Sequence, residues 1–224
     1  MFSFSNDSMN VIKSLCFILL SVFVLLVGLF PVKIFAQEVI SNKTLHKNLV
    51  LSTPVLFLEY SNSPTSYILL GKTPHSSSQR AGVGFISPYL LQIFGTNFNL
   101  SARFHPILGY TYSKRDEGGK LNNVRGWSLD PFGISSTVCL NKSVRLRNTI
   151  YGGLSQMSST FPTDKGRKLN FNFELQSTIE QAIGRNYIIS FGGAFHHISN
   201  AQTGKQNPGI DSIYLLFRLS YLVD

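Results

Sequence analysis

Leu169-Asn170-Phe171-Asn172-Phe173-Glu174-Leu175-Gln176-Ser177-Thr178-Ile179 alternates between apolar and polar residues. Leu169, Phe171, Phe173, Leu175 and Ile179 fall on one side, and Asn170, Asn172, Glu174, Gln176 and Thr178 on the other. Successive side chains of a strand point to opposite faces, so a period of two predicts a strand with one apolar and one polar face. The pattern recurs on the C-terminal side. Tyr187, Ile189, Phe191, Gly193 and Phe195 oppose Asn186, Ser190, Gly192 and Ala194, with Ile188 as an exception. Ile213, Leu215, Phe217, Leu219 and Tyr221 oppose Ser212, Tyr214, Arg218 and Ser220. Upstream, Phe98, Leu100, Ala102, Phe104, Leu108, Tyr110 and Tyr112 oppose Asn99, Ser101, Arg103, His105 and Thr111.

Composition narrows the class. Hydrophobic residues make up 43% and aromatic residues 12% of the 224, while charged residues reach only 14%. Soluble domains average about 25% charged residues. Disorder needs few aromatics and much charge, and a coiled coil needs Ala, Glu, Lys and Leu, so both are excluded. The net charge of +9 comes from scattered residues, which speaks against a nucleic-acid surface.

Lys13 precedes an apolar run over 15–30, broken by Pro31 and followed by Ile34-Phe35-Ala36. This is the layout of a cleaved export signal over 1–36, with Met1 or Met9 as the start. The run is short of the ~20 residues of a membrane-spanning helix, which makes an uncleaved anchor the lesser reading. Cys16 lies in the leader, so a mature chain 37–224 keeps Cys139 alone and has no internal disulfide. Cys/His zinc spacing is absent, and neither metal nor cofactor is expected.

Two all-β architectures fit the alternation. A soluble sandwich or lipocalin-like barrel turns its apolar face inward. A membrane barrel turns it outward to lipid. The strands read as 51–60, 80–94, 97–113, 127–140, 144–157, 169–181, 186–199 and 209–222. Their connections alternate: 61–79, 114–126, 158–168 and 200–208 are long, whereas 95–96, 141–143 and 182–185 are short. That asymmetry marks an eight-stranded antiparallel outer-membrane barrel. Some segments are less regular. The first strand alternates weakly, and the fourth switches phase near Asp130-Pro131, as at a bulge. Residues 65–70 are apolar within a loop, and the chain ends Tyr221-Leu222-Val223-Asp224 where many such barrels end in an aromatic residue.

The seventh strand closes on His196-His197-Ile198-Ser199-Asn200, and the eighth opens on Gly209-Ile210-Asp211. His197 and Ser199 share the outward face of Phe191 and Phe195, and Asp211 shares that of Ile213 and Leu215. Neighbouring strands bring Asp211 beside His197. A serine hydroxyl needs a base to become a nucleophile, histidine supplies one, and a carboxylate orients the histidine. Asn side chains or backbone amides can hold the developing oxyanion. His-x-Ser is a common tripeptide, however, and by itself it reads first as a polar rim without chemistry.

His197-Ile198-Ser199-Asn200-Ala201 followed by Asn207-Pro208-Gly209-Ile210-Asp211 resembles the lipid A 3-O-deacylase (PagL) family, also known as acyloxyacyl hydrolases. Leu169-Asn170-Phe171-Asn172-Phe173, Gln176-Ser177 and Gly192-Gly193 extend the resemblance over about 169–221. The resemblance implies an outer-membrane barrel with a lipid-facing active site. By position, Ser199 would be the nucleophile, His197 the base and Asp211 the acid that orients it. Asn207 with Gly209 would line the oxyanion site, and Asn200 would support it. Asp211 departs from the family, whose best-known member carries Glu there. His196 is the rival base but faces inward in this register.

Glu174, Glu180, Arg103, Arg145, Arg147 and Arg218 fall on inward positions and read as a structural ion-pair network. Lys114, Arg115, Lys120 and Arg125 in one outer loop, and Arg167 and Lys168 in another, are solvated or contact lipid A phosphates. His75 and His105 show no evident partner. The expected function is therefore hydrolysis of a lipid A acyl ester in the outer membrane of a Gram-negative bacterium. Lipid A, or lipopolysaccharide, is the partner, nucleic acid is not, and monomer and homodimer stay open. The rivals are a non-catalytic barrel serving adhesion or membrane stability and a soluble lipid-binding barrel.

Overall fold

The computed structural model describes residues 53–93, 96–113, 121–163 and 165–223. The leader expected at 1–36 with its Cys16, the lead-in 37–50, and Lys114, Arg115 and Lys120 lie outside these. Every regular element among the described residues is a strand: β1 (Val55–Ser63), β2 (Ser66–Tyr67), β3 (Ser77–Ile93), β4 (Thr96–Ser113), β5 (Leu121–Cys139), β6 (Val144–Phe161), β7 (Arg167–Ile183), β8 (Tyr187–Ser199) and β9 (Ile210–Leu222). Each long strand pairs antiparallel with the next, and β1 also pairs with β9, so eight strands close into a barrel. Closure leaves no unpaired long edge. The two-residue β2 adds to the outer end of β9. It falls in the apolar stretch 65–70 of the first long loop.

The alternation sorts as an inside-out protein. Phe191, Leu215 and Phe132 are 62%, 61% and 79% exposed, whereas Arg80, Arg103, Arg218, Glu174 and Asp130 are buried in the interior. Such a wall suits hydrocarbon surroundings. Tyr187 and Tyr221 stack on the outside near the short-turn end, and Phe104 and Trp127 nearer the long-loop end, as aromatic belts do.

The interior is layered. Ile107, Tyr110, Val124, Met157, Phe161, Ile198 and Ile210 form an apolar plug at the long-loop end. Val55, Phe57, Ile86, Ile188 and Leu222 form another at the short-turn end. Ile188 breaks the sequence pattern because it belongs to this plug. Between the plugs lies the ion-pair network. Glu59 accepts from Arg218 at 2.5 Å and Arg103 at 3.0 Å, and Glu174 from Arg103 at 2.8 Å and Arg80 at 2.7 Å. Arg103 also meets Asp130 at 2.6 Å, and Arg147 and Arg145 meet Glu180 at 2.7 and 3.2 Å. Arg80, Arg103 and Arg218 further stack on Tyr214, Tyr151 and Phe57.

Several expectations are corrected. His105 has a partner: its Nε2 lies 3.0 Å from Asp130 Oδ2. Tyr110 points inward rather than outward, because a register shift between Ile107 and Tyr110 reverses the phase of β4. Arg125 lies within β5, and Arg167 and Lys168 within β7, since these strands extend further toward the long-loop end than the alternation alone indicates. The phase switch near Asp130 is a bulge, with Leu129 and Phe132 flanking the shift against β6.

Candidate active site

β7, β8 and β9 meet the long-loop end side by side. Their register places Phe173 opposite His197, and His197 opposite Asp211. Directly opposed residues of antiparallel strands share a face, so these three form one outward rung. His197 Nδ1 lies 2.6 Å from Asp211 Oδ1. An ionised carboxylate can only accept, so Nδ1 is the donor of this bond, and Nε2 is the ring nitrogen turned away from Asp211. On the other side the Phe173 ring sits 5.4 Å from the imidazole, between centroids. The histidine is thus held between a carboxylate and an aromatic ring, with its side chain 14% exposed.

Ser199 lies two residues beyond His197 on the same face of β8 and is 7% exposed. Its hydroxyl makes no hydrogen bond among the described residues. Gly209, with φ of 51°, packs against both residues: a Cβ there would lie 3.2 Å from His197 Cε1 and 3.7 Å from Ser199 Cβ. Gly209 therefore serves twice, by its left-handed backbone and by its missing side chain.

Asn200 organises the 200–209 loop. Its Nδ2 donates to the Gln206 carbonyl at 2.7 Å, and its Oδ1 accepts from Gln202 N at 3.0 Å. Its carbonyl accepts from Thr203 N and Oγ1. Asn207 Oδ1 accepts from Asn200 N at 3.2 Å, which leaves the Asn207 amide nitrogen as a donor. These bonds hold Ala201 and Gln202 at positive φ. His196 points inward, with its Nε2 3.5 Å from Asn172 Nδ2 and its ring edge-on to Tyr214. It is completely buried and cannot serve an outward serine.

Two contributors escape the sequence reading. Phe173 carries no signal beyond its place in an apolar stripe. The backbone amides of Leu69, Leu70 and Gly71 all donate to Asp211 Oδ2, at 2.9, 2.6 and 2.6 Å. Main-chain donors leave no mark on residue type, and these lie far from Asp211 in sequence. The one available hint is the pairing of two glycines: a Cβ on Gly71 would come within 2.6 Å of Ile210 N.

The depth of the site follows from strand geometry. At ~3.3 Å per residue and a tilt of ~40°, His197 stands about 25 Å above Tyr187 and Ser199 about 30 Å. The apolar band of such barrels is ~25 Å tall. If Tyr187 marks the inner boundary, the rung lies at the outer one.

A family model described as Lipid A 3-O-deacylase (PagL) matches residues 93–220, which is more than half of the chain. Among solved structures the chain is similar to the outer membrane enzyme PagL, with 18% identity and a TM-score of 0.54. That similarity covers 72% of this chain and 97% of the other. Neisserial surface protein A (NspA) follows at 11% identity and a TM-score of 0.47, covering 76% of this chain and 97% of that one. Ail, the attachment invasion locus protein of Yersinia pestis, follows at 9% identity and a TM-score of 0.45, with coverage of 76% and 97%. No curated protein sequence matches significantly.

Proposed function

The chain belongs to the lipid A 3-O-deacylase (PagL) family of outer-membrane β-barrels, and from that premise we propose that it hydrolyses the 3-O-linked acyl ester of lipid A by a Ser199–His197–Asp211 mechanism. The observation that carries the reading is the outward His197–Asp211 pair at 2.6 Å, with Ser199 on the same face, about 30 Å above Tyr187 by strand geometry. Ester bonds of lipopolysaccharide lie at that depth in the outer leaflet.

Ser199 Oγ attacks the ester carbonyl while His197 Nε2 takes its proton. Asp211 holds the imidazole in the Nδ1–H tautomer and stabilises the imidazolium. The oxyanion accepts hydrogen bonds from the amide of Asn207 and the backbone at Gly209, each such donor contributing roughly 10²–10³-fold in rate. Collapse expels the sugar hydroxyl, which receives the proton from His197. Water, deprotonated by His197, then attacks the acyl carbonyl, and the acid is released as His197 returns the proton to Ser199 Oγ. The hydrogen bond from Ser199 to His197 forms in the substrate complex, as catalytic hydrogen bonds often tighten only there.

Lipid A from cells that produce the wild type, Ser199→Ala or His197→Ala provides the test, read by mass spectrometry. The wild type alone should remove one hydroxyacyl mass, and fragmentation should place the loss at the 3-O position. Unchanged lipid A from every strain, with the barrel folded in the outer membrane, would favour a non-catalytic barrel. Loss from another position would correct the regiochemistry and leave the mechanism intact.

A further inference from the structure

The carboxylate of Asp211 is held on both sides. Oδ1 meets His197, while Oδ2 receives three consecutive amides of segment 69–71. An ionised carboxylate offers about two lone-pair sites on each oxygen, so the three amides use Oδ2 fully, while Oδ1 faces His197. Segment 66–72 is fastened over the start of β9 by further contacts. Ser66 and Tyr67 pair with Ser212 and Asp211, and Lys72 N donates to Pro208 O at 2.7 Å and Gly209 O at 3.1 Å. Gly71 lies so close to Gly209 and Ile210 that a Cβ would meet their backbone at 2.6–2.8 Å. The Asp211 side chain is consequently 1% exposed against 14% for His197. A charge removed from water in this way needs replacement donors, and the strap supplies them.

We propose that segment 69–71 is a positioning element of the hydrolytic site, whose three backbone amides clamp Asp211 Oδ2 and thereby fix the direction in which Oδ1 meets His197. The proposal rests on the catalytic reading above for its kinetic consequence only. The clamp also explains how Asp serves here: the register already sets it opposite His197, and the strap prevents the short side chain from turning away. Three converging N–H groups accept only an oxygen, so the clamp gives the carboxylate a sense of direction. In Asp211→Asn the amide oxygen must face the strap and the NH₂ must face His197. Nδ1 then becomes an acceptor and the imidazole proton moves to Nε2, where it blocks transfer from Ser199.

The test uses the full-length barrel in detergent, with ¹⁵N-labelled histidine and the His197 signals assigned by their loss in His197→Ala. Asp211→Asn should show a single Nε2–H tautomer at His197. Adding Leu70→Pro, which deletes one clamp donor, should restore a population of the Nδ1–H form. In kinetics on purified lipid A, Leu70→Pro should fall between about 10- and 100-fold below Leu70→Ala, which keeps the N–H. The fall should appear in kcat and not in KM, since positioning of the base is felt in the transition state. Mixed tautomers in Asp211→Asn alone would overturn the clamp, as would equal kcat for Leu70→Pro and Leu70→Ala. If Leu70→Pro does not fold, the Asp211→Asn spectrum still decides. The tautomer pattern without any deacylation by the wild type would sink the catalytic reading and leave the clamp standing.

Discussion

At the scale of single residues, the site depends on which atoms are free to react. Ser199→Ala removes the proposed nucleophile and nothing else, because its hydroxyl supports no hydrogen bond among the described residues. Deacylation should fall by at least on the order of 10⁴-fold, while the midpoint of urea unfolding should stay at the wild-type value. A residual rate near that of the wild type would remove Ser199 from the mechanism. Asp211→Glu tests the fit of the carboxylate. The extra methylene has to push either the imidazole or the strap aside, so kcat should drop by between about 10- and 100-fold. Full activity would mean that the strap yields easily.

At the scale of elements, the outer rim is a set of short segments tied to rigid strands. Gly209 joins the 200–209 loop to β9 at positive φ, where an added Cβ would lie 3.0 Å from Gly71 Cα, 3.2 Å from His197 Cε1 and 3.7 Å from Ser199 Cβ. Gly209→Ala combines a left-handed backbone, costing roughly 1–2 kcal/mol for a residue with a Cβ, with contacts to His197 and Ser199. Activity should be lost, and unfolding in urea should shift by at least that backbone cost, because the close contacts add to it. Asn200→Ala removes the two hydrogen bonds of its side-chain amide, to the Gln206 carbonyl and from Gln202 N, and keeps those of its backbone with Thr203 and Asn207. Limited proteolysis should then cut within 201–208 faster than in the wild type, with activity reduced in proportion. An unchanged cleavage rate would show that Asn207 and the positive-φ residues hold the loop unaided.

At the scale of the whole molecule, the barrel solves two solvation problems at once. Its wall faces hydrocarbon, so Leu215→Arg should destabilise it by ~2–4 kcal/mol if that position lies at mid-depth, measured by urea unfolding in lipid vesicles. Its interior holds charges that need one another. Glu59 alone serves Arg103, Arg218 and Gln176. Glu59→Ala leaves two arginines short of a partner and should cost about 3–5 kcal/mol in the same assay. A cost below 1 kcal/mol would mean that water enters the interior and replaces the carboxylate. Neither change touches the outer rung, so the activity of the folded fraction should persist in Glu59→Ala.

The sequence alone determined the class of fold, because strict period-two alternation forces a residue onto one of two faces, and long and short connections sort the two ends. It also determined the outward chemistry: His197 and Ser199 share a face by parity, and the same parity turns His196 inward. Parity fails where the backbone gains a residue. The bulge between Ile107 and Tyr110 therefore reversed the face of a tyrosine, and the plugs around Ile188 and Ile198 made inward positions apolar. Tertiary structure alone decided the partners beyond the His197–Asp211 pair and the general pairing of inward charges. His105 meets Asp130 across two strands, and Phe173 meets His197 because the β7–β8 register makes them opposite. The clamp on Asp211 is the extreme case, since a backbone N–H belongs to almost every residue and only folding brings three of them to one oxygen.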